Sequence, residues 1–409
     1  MKKLISALLA LTLTLSICAC SLAEGSTVTL AQLKATAPKR LQMTVTTDAG
    51  ETITVDAPVI LPDTDALPVL LTQSQTFDMT KAYDYYPLQK GTPTYEWYYA
   101  GDHTDHDTIL YCAKEARSYL LNGKTDYSKR SPLAAGELPP ENDFSLDEAV
   151  ALIMRNNELF GGDPKVDLRV NRAVAMSGLC RMKSEKVTDK STGVSVKMMV
   201  ADPKRPIKGC EKGLWLIELA QYLYGARVLP GFSISNGVLW REENQFVYAE
   251  PTYSSCRVQD EESFHLVESY LSKPEILVED APLCPWNTVA ESIRALIQNG
   301  QIKSVYQIEL GYQVAFLRSE NDAAREQNAK GQSFDMAQAH YVLLPCWELK
   351  GYALNKYNQK YFAGSESPDE ETVLSNGFGL DFHQDNYRFC LHAKTAQPLA
   401  FDDLLYDLP

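Results

Sequence analysis

Apolar residues recur at helical spacing after Ser145: Leu146, Ala149, Val150, Ile153 and Met154 fall at i, i+3, i+4, i+7 and i+8. That spacing predicts a helix with one buried stripe. Ser145 and Glu148 form a capping box at its start, and Gly161-Gly162 ends it. The pattern returns after Pro285, where Trp286, Val289, Ala290, Ile293 and Ile297 form a second stripe stopped by Asn299-Gly300. Beyond each helix the period changes to two. Tyr306, Ile308, Leu310, Tyr312, Val314 and Phe316 are predicted to share one strand face, with Gln307, Glu309, Gly311, Gln313 and Ala315 on the other. A polar connection, Ser319 to Ser333, leads to a strand whose Tyr341, Leu343, Pro345, Trp347 and Leu349 share a face. In the first half, Val166 to Met182, Gly213 to Leu229 and Val238 to Val258 are the strand-like runs.

Nearer the N-terminus, Gln42 to Ala57 reads as a hairpin turning at Asp48-Ala49-Gly50. Tyr95 to Tyr99 and Thr108 to Cys112 are also strand-like. Ser131 to Asn142, with Pro132, Gly136, Pro139 and Pro140, reads as a linker. The expected fold is therefore α+β: a β-rich N-terminal region (42–130), then two helix-plus-antiparallel-sheet repeats at 143–282 and 283–409. Residues 20–41 read as a polar tether.

The first residues carry an address. Lys2 and Lys3 precede an apolar stretch from Leu4 to Ile17, the length of a signal h-region and short of a membrane span. Ile17-Cys18-Ala19-Cys20 resembles the lipobox of bacterial lipoproteins. The resemblance implies cleavage after residue 19 and a lipid on Cys20, tethering the chain to the outer face of the cell membrane. The other reading is cleavage after Ser21-Leu22-Ala23 and a soluble secreted protein. The formal charge of −14 argues against nucleic acid as a partner. Loss of residues 1–19 removes two lysines and no acid, leaving −16.

Seven cysteines remain beyond the leader: Cys112, Cys180, Cys210, Cys256, Cys284, Cys346 and Cys390. They are odd in number and lack a C-x-x-C, which excludes zinc ribbons and thioredoxin-like motifs. The expectation is buried thiols, with one or two bridges left open.

No familiar hydrolase, metalloprotease or nucleotide-binding signature occurs. The densest polar constellation is Asp102-His103-Thr104-Asp105-His106-Asp107. His103, Asp105 and His106 are candidate ligands for Zn²⁺, or the carboxylates for Ca²⁺, against a default of a solvated loop between two strands. Cys390 and His392 share a strand face but lie about 7 Å apart along it, too far for a nucleophile–base pair. Nearby His383-Gln384-Asp385 and the acidic run Glu366 to Glu371 read as surface. The abundant Tyr and Trp could line a glycan or peptide groove, but at strand spacing they are more often core.

The lipobox, Val55-Asp56-Ala57-Pro58-Val59, and the strand pair Ile308 to Tyr312 with Tyr341 to Trp347 together resemble a family of clostridial (Firmicutes) lipoproteins of unknown function. Residues 285–360 also resemble YycI-type accessory regulators of a cell-wall sensor kinase. Those regulators carry a transmembrane helix and a basic cytoplasmic tail that this sequence lacks. These likenesses imply an extracytoplasmic, membrane-anchored protein with a non-enzymatic binding or regulatory role, needing no cofactor. Its partner would be an envelope peptide, glycan or protein. The rival expectation is a surface hydrolase with an unrecognised, metal-assisted site at His103 and His106.

Overall fold

A computed structural model describes residues 27–75, 89–90, 96–100, 108–112, 117–121, 130–134, 136–159, 162–163, 166–188, 195–229, 253–261, 263–330, 339–353, 388–399 and 404–408. The chain begins with a short helix α1 (Leu30–Thr36), then strands β1 (Arg40–Thr46), β2 (Thr52–Ile60) and β3 (Val69–Ser74). Four short strands follow: β4 (Gln89–Lys90), β5 (Glu96–Ala100), β6 (Thr108–Cys112) and β7 (Arg117–Leu121). Helix α2 (Leu146–Leu159) leads into β8 (Asp167–Met176), β9 (Cys180–Thr188), β10 (Ser195–Pro206), β11 (Leu214–Leu223) and β12 (Ala226–Arg227). Next come β13 (Tyr253–Asp260), β14 (Ser263–Ser269) and β15 (Leu271–Val278). The last third holds α3 (Trp286–Gln298), β16 (Ile302–Leu317), α4 (Arg318–Ala329), β17 (His340–Ala353), β18 (Arg388–His392) and β19 (Leu405–Tyr406).

Two mixed layers result, and the protein is α+β. One sheet runs β1-β2-β16-β17-β3-β15, with β18 on β17 and β19 on β16; the other runs β12-β11-β13-β14-β7-β6-β5-β4, with β8 on β11. Helix α3 seals the first sheet: Trp286, Val289, Ile293, Leu296 and Ile297 are buried against Ile308, Leu310, Tyr312 and Val314. Its end is a Schellman motif, with Gly300 N–H on the Ile297 carbonyl (3.0 Å) and Gln301 N–H on that of Leu296 (2.9 Å). Gly300 supplies the positive φ that this turn demands.

Helix α2 covers the second sheet. The capping box forms, Ser145 N–H donating to Glu148 Oε2 (2.7 Å) and Glu148 N–H to Ser145 Oγ (3.2 Å). Its buried face is Ala149, Leu152, Ile153, Asn156 and Asn157, rotated from the expected stripe, and Met154 is exposed. The rotated face has the same helical spacing, and it brings in the larger Leu152. Buried Asn156 is tolerated because its Nδ2 donates to the Leu152 carbonyl at 2.8 Å.

Several boundaries differ from expectation. The presumed tether holds α1 in its C-terminal half, with a Thr29–Gln32 capping box and fully buried Leu33. Val28 is hydrogen-bonded to Leu283 (2.8 Å). The presumed N-terminal region (42–130) divides between the layers. β2 pairs with β16 in parallel and β3 lies between β17 and β15, whereas β7 pairs with β14. The presumed linker is a docked strap: Leu133 N–H bonds the Ala175 carbonyl, and buried Arg130 donates to the Ser177 and Lys212 carbonyls (both 2.8 Å). The polar connection is helix α4, which a purely apolar criterion misses because its residues are nearly all polar. Val166 to Met182 is two strands, β8 and β9, broken at Ser177-Gly178.

Candidate functional site

Of the residues singled out for chemistry, Cys20, His103, Asp105 and His106 lie outside the described residues. Ala100 and Thr108 are register partners, so the histidine-rich hexad falls in the connection between β5 and β6. Among the described residues no group of three or more His, Cys, Asp or Glu stands ready for a metal ion. His383, Asp385 and the run 366–371 also lie outside them. Cys390 and His392 do not form a catalytic pair: His392 Nδ1 accepts from Lys394 N–H (3.1 Å), and Cys390 Sγ points to Gln313 Oε1 (3.9 Å).

What the fold does bring together is a charged cluster between the two layers. The second face of β16 is also buried at Glu309, Gly311, Gln313 and Ala315, and the chain from β12 to Leu229 lies across it at Gly311. Leu229 N–H bonds the Tyr312 carbonyl (2.8 Å). Gly311 makes this approach feasible, since a Cβ there would meet the Arg227 carbonyl oxygen at 2.6 Å. Arg227, 3 % exposed, then reaches two carboxylates that are direct register partners, Glu309 on β16 and Glu348 on β17. Its Nη1 lies 3.0 Å from Glu309 Oε2 and 3.6 Å from Glu348 Oε2. Gln307 Nε2 donates to the same Glu309 oxygen (3.1 Å), and Lys350 Nζ stands 3.9 Å from Glu348. Paired carboxylates beside an arginine are the raw material of acid–base chemistry. Here Arg227, Glu309 and Glu348 are all buried, which sets the cluster apart from acid–base pairs that face solvent.

Beside this cluster Cys346 and Cys390 are buried against Leu229. Burial, then the neighbouring Cys390 thiol, hold the Cys346 thiol well above its ordinary value. Burial likewise pushes the Cys284 thiol up to about 11. Neither is a primed nucleophile.

One aromatic feature meets solvent close by. Tyr224-Gly225 is the two-residue turn between β11 and β12, and both residues have positive φ (48° and 72°). Gly accepts that conformation readily, but for a bulky residue it is strained. Tyr224 is nevertheless 44 % exposed. Two residues earlier, Tyr222 carries the Arg169 guanidinium 4.2 Å above its ring, and Asp167 pins that arginine at 2.6 Å. Sequence reading missed both arrangements. The signals available were Glu309 and Glu348 inside otherwise apolar strands, and the Tyr-Gly pair closing a hairpin.

Comparison with family models, curated proteins and solved structures returns no match for this chain.

Proposed function

We propose that this is an exported, lipid-anchored protein of the cell envelope that binds a peptide, glycan or protein partner without turning it over. The observation that carries the non-enzymatic reading is the burial of the Glu309–Arg227–Glu348 cluster. Its acid–base groups neutralise one another and bridge the layers, which consumes them structurally. The leader, the lipobox at Cys20 and the resemblance to clostridial lipoproteins support the location.

The binding surface this reading favours surrounds Tyr224. An exposed aromatic held in a strained turn costs stability, and such strain is characteristic of binding sites. The test pairs a screen of wall fragments and peptides with a turnover assay, on the wild type and on Tyr224→Asn. Asparagine suits the positive φ, so the variant should be more stable, by about 1 kcal/mol, while binding falls at least tenfold. Turnover of any ligand, or unchanged binding by the variant, refutes the respective half of the reading. A membrane-extracted chain whose N-terminal peptide lacks a lipid on Cys20 refutes the anchor.

A further inference from the structure

The ribbon of β9 and β10 belongs to neither layer. Among the described residues its strands pair only with each other, from Thr188 opposite Ser195 to Cys180 opposite Pro206. A two-stranded ribbon standing alone is marginal in water.

Its charge is opposite to that of the molecule. Between residues 180 and 208 there are eight Lys and Arg against three Asp and Glu, a local charge of +5 in a chain of −14. Arg181, Lys183, Lys204, Arg205 and Lys208 are exposed. Further out, Lys186 and Lys197 are direct register partners. Like charges directly opposite each other oppose strand pairing. A basic ribbon that joins neither described sheet is stabilised by an anionic surface laid against it.

We propose that the β9–β10 ribbon is a docking arm for anionic phospholipid headgroups on the membrane that anchors the chain, which rests on the anchored reading above. The tether argues for lipid as the source of the negative charge. From Cys20 to Val28, the first residue bonded to the folded body, the chain spans at most about 28 Å. An acidic body held that close to an anionic surface is repelled, except through a basic projection such as this ribbon. The ribbon therefore selects which side of the molecule faces the bilayer.

The experiment uses the chain from residue 20 onward with Cys20→Ser, so that no lipid contributes to binding. Its partition onto phosphatidylcholine vesicles is compared with vesicles containing about a third phosphatidylglycerol. Preference for the anionic vesicles is expected, and it should vanish at high salt. Lys204→Gln with Arg205→Gln should weaken partition about 30-fold, at about 5-fold for each basic residue lost. Arg181→Gln with Lys208→Gln should do the same, which guards against one pair perturbing the fold. Lys330→Gln with Lys394→Gln removes equal charge elsewhere and should not weaken it. Equal binding to both vesicle types, or equal effects of ribbon and control variants, overturns the proposal. Capture by a soluble phosphate polymer without vesicle binding overturns it in favour of a wall polymer. The N-terminal mass that tests the anchored reading is independent of all these outcomes.

Discussion

A guanidinium removed from water costs several kcal/mol unless its partners repay it, and Arg227 is repaid by two carboxylates at once. Replacing it leaves Glu309 and Glu348 facing each other across a strand pair with their shared cation gone. Arg227→Met should therefore cost about 3–5 kcal/mol in urea-unfolding free energy. A triple variant that also makes Glu309→Gln and Glu348→Gln should recover part of that loss, because the uncompensated negative charge disappears. The thiols supply a pH-dependent prediction. An unfolded thiol ionises near 9, but folded Cys284 ionises only near 11. The folded state holds its proton longer, so this contribution to stability is full below about pH 9 and is lost as pH rises toward 11. At pH 8 roughly one Cys284 in a thousand is thiolate, so a thiol reagent should label partly exposed Cys210 first. Cys284, Cys346 and Cys390 should react only on unfolding; prompt native labelling of all four contradicts the burial described.

At the scale of elements, capping and packing decide where each helix sits. Ser145→Ala should cost about 1 kcal/mol in thermal unfolding, since the hydroxyl serves the Glu148 N–H. The Ser145 backbone N–H, and then its hydroxyl, hold the Glu148 carboxyl below its usual value. That support exists above the unfolded value and fades as pH falls through the folded one. These same elements show how much the sequence disclosed. The caps, the α3 stripe and the alternation of β16 and β17 are local, so spacing alone located them. Tyr306 escaped the alternation because a register shift between Val305 and Gln307 turns it outward, at 49 % exposure. Gln313 and Ala315 escaped because period two gives a strand two faces without saying what lies over each. The cover came from far away in sequence: Cys390 lies beside Gln313, Val69, Ala281 and Val342 pack with Ala315, and Arg227 to Leu229 lie over Gly311, the one local trace of that approach. The candidate site was illegible for the same reason: its three charged residues come from three distant strands.

At the scale of the whole molecule, the aromatic rings that pair among the described residues pack in or against the core. Trp286 and Trp347 meet edge to face at 5.7 Å, as do Phe316 and Tyr341 at 5.5 Å. At the edge of the described sheet, β15 exposes Ile276 and Val278, yet it carries Pro274, exposed Lys273 at positive φ and two register irregularities. These features blunt an edge against pairing with other chains. Apolar surface there is thus guarded, whereas Tyr224 and the basic ribbon are presented.

The interleaving of β2 and β3 with β16 and β17 also bears on the order of events during synthesis. A chain that emerges N-terminus first delivers β2 and β3 long before β16 and β17, which join them to the sheet. The β1–β2 hairpin can form at once, but it and β3 must wait for the rest of their sheet while more than half of the polypeptide follows. Non-local pairing of that kind is slow and leaves sticky intermediates. The first layer closes only when β17 arrives between β16 and β3. A chain stopped before Ile302 lacks the strand that joins its N-terminal hairpin to the sheet, so synthesis must run nearly to its end before the earliest segments have anywhere to go.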